Sequence, residues 1–204
     1  MGVRLLLASA SPRRAELLRA AGIDFDVAAA NVDESVREGE SPTSHIRRLA
    51  EEKVRTVLPL AAGRAVLGAD TIVVVDDLIL GKPADAVDAR RMLRRLSGRA
   101  HQVLTGVCLA HQMSGAATSG AGDPFTWMVQ VEVASTAVEF ARLSDREITD
   151  YVESAEPVDK AGAYAIQGRA SRFVTRIEGS YSNVVGLPVA LVYDLCKRAG
   201  LLVS

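Results

Sequence analysis

The first half of the chain alternates between strand-like and helix-like patterns of apolar residues. Residues 3–8 form a short, continuous apolar run, which is typical of a buried strand. Ser11 and Pro12 favour a helix start directly after this run, and Gly22 favours the end of that helix. Residues 25–29 then predict a second strand.

Apolar spacing and capping residues predict the elements that follow. A second helix, capped by Thr43 or Ser44, is predicted from apolar residues at helical spacing, namely Ile46, Leu49, Ala50, Val54 and Val57. The other predicted elements are a strand at 66–75, a turn at 76–77 into a strand at 78–80, a helix from Asp85 or Asp88 to about Leu96, a helix with a capping box from Ser144 to about Glu153, a strand at 173–177 and a last helix that starts at Pro188.

A long hairpin is predicted in the middle of the chain. Apolar residues alternate over 101–111 and again over 129–140, and residues 113–123 between them predict a flexible tip rich in Gly, Ala and Ser. The whole pattern predicts an α/β fold, with a mixed twisted sheet flanked by helices and a long hairpin-bearing lobe. We expect a single domain over residues 1–204, made of two intimately joined lobes with boundaries near residues 85 and 140.

The balance of charges excludes some partners. The chain has 24 basic and 25 acidic residues, which gives a formal net charge of −1. Without an overall positive field, neither a nucleic-acid polymer nor an anionic membrane is an expected partner, and any anion site must be local. The first apolar run is short and soon meets Pro12, so a strand is favoured over a signal peptide. No run approaches the ~20 apolar residues of a membrane span, and we expect a cytoplasmic protein.

Several common kinds of site are not favoured. Cys108 and Cys196 lie in apolar stretches without metal-ligand spacing, which favours small core residues. The three histidines, His45, His101 and His111, also lack such spacing, which favours structural or surface roles. The sequence contains neither a P-loop motif nor a Gly-x-Ser-x-Gly elbow, so a Walker-type ATPase and an α/β-hydrolase are unsupported.

The turn between the first strand and the first helix, SASPRR at residues 9–14, indicates an anion site. A helix start offers N–H groups and a positive dipole end, and the planar forks of Arg13 and Arg14 suit phosphate oxygens. The small residues Ser9 and Ala10 let a ligand approach the backbone. Because arginine in a first turn opposes the helix dipole, the placement favours anion binding over a solvated arginine pair.

Asp70 interrupts an apolar strand pattern over residues 66–75. Aspartate is disfavoured inside strands and is costly to bury without a partner. Such an acid usually binds a metal, acts as a base or belongs to a specific hydrogen-bond network, and a functional role is favoured here. Thr71 could orient Asp70 or contact a ligand.

Other polar residues are ambiguous when each is taken alone. Asp33 and Glu34 could bind a divalent cation or position water, or could belong to an ordinary surface loop. Lys53 on a helix flank and Lys82 between a glycine and a proline could each contact phosphate, or lie at the surface. The amide of Gln167 could pair with the edge of a base.

Taken together, these segments resemble the Maf family, also called septum-formation inhibitor proteins. The matching motifs occur in family order across nearly the whole chain: SASPRR at 9–14, VDE at 32–34, Lys53, GADT at 68–71, GKP at 81–83, LSG at 96–98, DKAG at 159–162, IQG at 166–168 and YSNVVGLP at 181–188. Each motif is short, but the ordered set is highly specific.

The resemblance implies a Maf/ITPase-like α/β fold, hydrolysis of nucleoside triphosphates at the α-phosphate, a divalent cation (Mg²⁺ or Mn²⁺) and a homodimer. By position, Asp70 matches the family's proton acceptor. The positions that select the substrate correspond to Arg13, Thr71 and Gln167, and other pocket positions correspond to Ser9, Arg14, Glu34, Lys53 and Lys82.

The IQG form of the motif, with its lead-in DKAGAY, resembles the branch that acts on dTTP and UTP. We expect in-line attack of water on the α-phosphorus, with Glu34 and Asp70 holding the metal and Asp70 serving as ligand, base or both. One alternative is a pyrophosphatase for 7-methyl-GTP or for a broad set of non-standard nucleotides. The other is a non-catalytic, nucleotide-binding regulator of septum formation.

Overall fold

A mixed seven-stranded sheet forms the centre of the molecule. The computed structural model describes residues 4–112 and 127–201, so the tip predicted at 113–123 lies outside the described residues. The strands are β1 (Leu5–Ala8), β2 (Phe25–Val27), β3 (Val66–Val75), β4 (Leu78–Leu80), β5 (Ala100–Gln112), β6 (Trp127–Phe140) and β7 (Val174–Glu178). Their order is β2-β1-β3-β5-β6-β7, with β4 paired to β3. The β1–β2 and β1–β3 pairings are parallel and the other four are antiparallel, which confirms a mixed sheet.

Helices cover both faces of this sheet. They are α1 (Pro12–Ala20), α2 (Pro42–Val57), α3 (Ala86–Leu96), α4 (Asp145–Glu153), α5 (Tyr181–Val185) and α6 (Val189–Arg198). Alternate residues of β1 point to opposite faces, as the pleat of a strand requires. Leu5 and Leu7 pack in one apolar cluster with residues of α1 and α6, and Leu6 and Ala8 pack in another with residues of α2. The α/β fold predicted from the apolar pattern is therefore confirmed.

Two glycines let α2 lie directly against the strands beneath it. A Cβ atom at Gly106 would lie 2.3 Å from the carbonyl oxygen of Ile46, and one at Gly68 would lie 2.8 Å from that of Ala50. Both contacts are to helix backbone, so a larger residue would have to displace the helix. This close approach brings the polar edge of α2 to the middle of β3.

The caps of the helices agree with the sequence in part. Asp85 caps α3, and Ser144 forms the predicted capping box with Glu147 at α4. The prediction for α2 was wrong, because Ser41 is its cap and accepts a hydrogen bond from the N–H of Ser44. Pro42 occupies the first turn of α2, where proline is well tolerated, so the cap must precede it.

The last part of the chain contains a helix that the apolar pattern does not predict. Helix α5 has five residues and begins after Ser180, whose hydroxyl accepts from the N–H of Asn183. So short a helix gives no apolar periodicity to detect. Pro188 precedes α6 as its cap residue, so the helix starts at Val189, one residue later than predicted.

Cys108 and Cys196 are buried free thiols, as predicted. All three histidines are buried as well. Among the described residues, no helix is both long and apolar enough to cross a membrane. The division into lobes near residues 85 and 140 stays a prediction.

Candidate active site

A cavity of about 540 Å³ lies beside the end of β1 and the middle of β3. Asp33, which the sequence also indicated as a candidate cation ligand, is not among its lining residues. The lining does include the nine other residues indicated for a site: Ser9, Arg13, Arg14, Glu34, Lys53, Asp70, Thr71, Lys82 and Gln167. These residues come from distant parts of the chain, and the fold brings all of them to one place.

A buried lysine joins the two carboxylates of the cavity. The Nζ atom of Lys53 lies 2.5 Å from Oδ1 of Asp70 and 2.8 Å from Oε1 of Glu34. The Lys53 side chain is only 7% exposed, so it does not extend to solvent along the helix flank. A buried ammonium is tolerated only with such partners, and the pairing accounts for its position.

A second lysine binds the other carboxylate oxygen of Glu34. The Nζ atom of Lys82 lies 2.9 Å from Oε2 of Glu34. Partial burial opposes ionisation of this carboxyl, but the hydrogen bonds from Lys53 and Lys82 outweigh it and lower the pKa of Glu34 to about 2. The carboxylate is therefore ionised at neutral pH.

The acidic loop that carries Glu34 is anchored to α2 by a cluster that the sequence did not reveal. Glu40 accepts hydrogen bonds from Arg48 at 2.7 Å and 2.8 Å and lies 3.0 Å from Nδ1 of His45. Arg48 also donates to the carbonyl oxygen of Ser35 at 3.0 Å. The hydrogen bonds from Arg48 are the main reason that the pKa of Glu40 is lowered. This anchoring keeps the loop beside Lys53.

The two neighbouring arginines have different surroundings. Arg14 is 8% exposed and donates to the carbonyl oxygen of Gly186 at 2.8 Å, to Oγ of Ser9 at 3.1 Å and to Oγ1 of Thr71 at 3.2 Å. Burial lowers the pKa of Arg14, although the nearby Asp70 opposes this. The Arg13 side chain is 29% exposed, and its contact with Asp159 is long, at 3.8 Å.

This difference corrects the expectation that both guanidinium forks face a phosphate. Adjacent residues of a helix point in different directions, so Arg13 and Arg14 do not share a face. Arg14 directs its fork to acceptors of the protein itself and ties α1 to β3 and to the turn after α5. Arg13 is the arginine whose donors are available to a ligand.

Thr105 supports Thr71 directly, and its hydroxyl also donates to the carbonyl oxygen of Asn183 at 3.4 Å. The sequence assigned neither Thr105 nor Asn183 a role in the site. Thr105 lies opposite Thr71 in the β3–β5 pairing, with their Oγ1 atoms 2.9 Å apart. Asn183 donates to the carbonyl oxygen of Val103 and to Oγ1 of Thr136, both at 3.0 Å. These bonds fasten α5 to the sheet. The register of the two strands would have been the only signal for Thr105.

Another part of the cavity wall is formed by a loop at residues 156–170. This loop contributes the lining residues Asp159, Lys160, Ala161, Tyr164, Ala165, Ile166 and Gln167. The N–H of Gly162 donates to the carbonyl oxygen of Gly81 at 3.0 Å, which ties the loop to the turn that carries Lys82. The Gln167 side chain is exposed at the cavity.

Comparison with known proteins matches nearly the whole chain to one family. The family model described as Maf-like protein matches residues 4–199. A dTTP/UTP pyrophosphatase of Koribacter versatilis (strain Ellin345) is 50% identical, over 99% of this chain and 97% of its own. A dTTP/UTP pyrophosphatase of Anaeromyxobacter sp. (strain Fw109-5) is 52% identical, over 98% of this chain and 91% of its own.

A solved structure gives independent support for the fold. The Staphylococcus aureus Ham1 protein aligns with a TM-score of 0.50, covering 96% of this chain and 99% of its own. The two sequences are only 12% identical, so the likeness concerns the fold alone.

Proposed function

The chain belongs to the Maf-like protein family, and we propose that it is a pyrophosphatase that hydrolyses dTTP and UTP to the nucleoside monophosphate and pyrophosphate. Relatives that bear the name dTTP/UTP pyrophosphatase match it over nearly the full length of both chains. The observation that carries the proposal is a cavity in which a surplus of cations surrounds two carboxylates bridged by Lys53.

The charges of the cavity suit a polyphosphate. Its lining has five basic side chains, Arg13, Arg14, Lys53, Lys82 and Lys160, and three acidic ones, Glu34, Asp70 and Asp159. The chain as a whole has a net charge of −1, so this positive surplus is local. A local cationic pocket attracts a polyanion without making the whole protein a nucleic-acid binder.

The reaction requires a base and stabilisation of negative charge. A water oxygen forms a bond to the α-phosphorus while the bond from that phosphorus to the bridging oxygen of the β-phosphate breaks, and pyrophosphate leaves with the bonding electrons. Asp70 accepts the proton of the water, since Lys53 occupies its Oδ1 atom and leaves Oδ2 for this task. Arg13 and Lys82 offset the charge that develops on the leaving group.

We also propose a divalent cation, Mg²⁺ or Mn²⁺, held by Glu34 and Asp70. Among the described residues, no three His, Cys, Asp or Glu side chains converge on one point. Glu34 and Asp70 are two carboxylates that both lie within hydrogen-bond distance of Nζ of Lys53. That donor set fits Mg²⁺, which in nucleotide sites usually takes one or two carboxylates together with substrate phosphates. When bound, such a cation neutralises charge on phosphate oxygens.

The nucleobase would lie against the loop at residues 156–170. The amide of Gln167 can donate and accept at once, as the edge of uracil or thymine requires. Its position at the cavity wall supports recognition of a pyrimidine.

We also propose that the protein is cytoplasmic and forms a homodimer. Sedimentation velocity tests the dimer.

A nucleotide panel tests the activity. Pyrophosphate release would be measured from dTTP, UTP, CTP, 7-methyl-GTP, ITP and GTP with Mg²⁺, with Mn²⁺ and after chelation with EDTA. We expect release from dTTP and UTP that EDTA abolishes and either metal restores. Preference for 7-methyl-GTP or ITP would contradict the pyrimidine assignment but keep the reaction. Binding without release under any metal would contradict catalysis and favour a nucleotide-binding regulator.

A further inference from the structure

The loop at residues 156–170 closes on itself through the carboxylate of Glu156. This residue lies at the start of the loop, and its Oε2 atom accepts a hydrogen bond from the N–H of Arg169 at 3.0 Å. Its Oε1 atom accepts from the N–H of Ala170 at 3.4 Å. One side chain therefore joins the two ends of the loop.

A buried tyrosine extends this closure into the loop. The hydroxyl of Tyr151 donates to Oε1 of Glu156 at 2.8 Å and accepts from the N–H of Ala165 at 3.1 Å. Tyr151 is fully buried, and burial is the main reason that its pKa is raised, so the phenol keeps the proton that it donates. We call Glu156 and Tyr151 the loop clasp.

Gly168 is shaped to the clasp. A Cβ atom at this position would lie 2.3 Å from Oε1 and 2.4 Å from Oε2 of Glu156. The φ angle of Gly168 is −107°, which any residue can adopt, so the glycine is needed for space and not for its backbone conformation. Any side chain here would push the carboxylate out of its hydrogen bonds.

The clasp lies next to the residues that face the nucleobase end of the cavity. Gln167 precedes Gly168, and Ala165 and Ile166 also line the cavity. Glu156 itself is not among the lining residues. We propose that Glu156 and Tyr151 are positioning residues that set nucleotide selectivity by fixing the backbone and the amide of residues 165–167. This inference rests on the proposed function, because it concerns which base that site accepts.

A fixed loop geometry matters here because uracil and cytosine differ on their pairing edge only in the order of hydrogen-bond donors and acceptors. A side-chain amide on a mobile loop could turn its oxygen or its nitrogen to either base. Backbone N–H and C=O groups cannot exchange roles, so they discriminate only while the loop is held in one place. Loss of the clasp should therefore reduce selectivity more than turnover.

The test is the ratio of kcat/KM for UTP to that for CTP in Glu156→Ala, compared with wild type. We expect the ratio to fall by about tenfold, a discrimination that a few well-placed hydrogen bonds can supply, with a smaller change in kcat for UTP. A ratio is insensitive to the fraction of folded enzyme, so a merely structural role would leave it unchanged. Amide hydrogen exchange at residues 165–170 should become faster in the same variant.

Two sets of variants sharpen the test. Glu153→Ala removes an exposed carboxylate from the nearby end of α4 and should leave both the ratio and the exchange unchanged. Gly168→Ala should lower the ratio in the wild-type background. It should have no further effect in Glu156→Ala, because the carboxylate that the new Cβ atom would clash with is then absent. If Glu156→Ala does not fold, Glu156→Gln and Tyr151→Phe, which each remove part of the clasp, should lower the ratio by smaller factors.

The outcomes separate this inference from the function on which it rests. A wild-type enzyme that releases no pyrophosphate from UTP or dTTP overturns both. An active enzyme whose ratio and exchange are the same in Glu156→Ala overturns the clasp alone. Equal loss of kcat/KM for UTP and CTP in that variant also overturns it, because the role would then be structural.

Discussion

Two parts of the cavity wall are built in different ways: the strand end around Asp70 and the loop end around Gln167. Asp70 and Thr71 lie on β3, which is paired with β1 on one side and β5 on the other. Gln167 lies on a loop that is closed by side-chain hydrogen bonds to Glu156. The first end is held by a backbone ladder and the second by a few side chains.

This contrast assigns different tasks to the two ends. In the proposed reaction, the bond that breaks is the same in every nucleoside triphosphate, so the groups that act on it can lie on a rigid frame. The base differs between substrates, and a loop can change its recognition without disturbing the sheet. Substitution of Asp70 should therefore change the rate for all nucleotides alike, whereas substitutions at the loop end should change the preference among them.

The largest effect should come from Asp70→Asn. The amide keeps the size of the side chain but cannot accept the proton of water, so we expect kcat to fall by about 10²- to 10⁴-fold. The fall should be equal for UTP, dTTP and CTP, measured by pyrophosphate release. Asp77→Asn, in the exposed turn between β3 and β4, is the matched control and should retain wild-type activity. A fall for UTP only would contradict the division of tasks.

The contrast between the strand end and the loop end also explains how much of the site could be predicted from the sequence. The strand end was predictable, because β3 is a continuous apolar run and an acid within it stands out. The nine residues assigned to the site all line the cavity.

The supporting residues could not be predicted, because their partners are distant in the chain. Asn183 and Val103 are bonded across 80 residues, and the Thr71–Thr105 contact depends on strand register. Nothing local distinguishes Glu156 from an ordinary surface acid. The different surroundings of Arg13 and Arg14 likewise depend on Gly186, which only the fold brings near.

A smaller effect should appear in acid, through the contact between β5 and the loop. Nε2 of His101 lies 2.9 Å from the hydroxyl of Tyr164, and the ring packs edge-on against Phe140. Burial lowers the pKa of His101 to about 4, below its ordinary 6.5. Between about pH 6.5 and pH 4, the unfolded chain therefore binds more protons than the folded one. The free energy of unfolding falls as the pH drops through this range, by at most about 3 kcal/mol.

Urea unfolding at several pH values between about 7 and 4 measures this loss. Carboxylates also titrate in that range, so the comparison is with His101→Gln, which can still accept from the Tyr164 hydroxyl but has no titration of its own. The variant should lose less stability than wild type as the pH falls. Equal losses would show that the histidine does not couple the sheet to the loop in this way.

The smallest effect that we predict separates the two neighbouring arginines. Arg14→Lys keeps the charge but cannot reach Ser9, Thr71 and Gly186 together, so we expect a loss of about 2 kcal/mol in the free energy of unfolding. Arg13→Lys should change it by less than about 0.5 kcal/mol, since its one contact is long and partly exposed. Urea unfolding without nucleotide measures both.

The comparison of the strand end with the loop end predicts a further difference between Arg14→Lys and Arg13→Lys. Arg14 holds the strand end, so hydrogen exchange at residues 165–170 should stay at the wild-type rate in Arg14→Lys, even though the protein is less stable. Arg13 is the arginine available to a phosphate, and its replacement should raise KM for UTP and dTTP alike. Faster exchange of the loop in Arg14→Lys would mean that the two ends form one cooperative unit, and the separation of tasks between frame and loop would then be wrong.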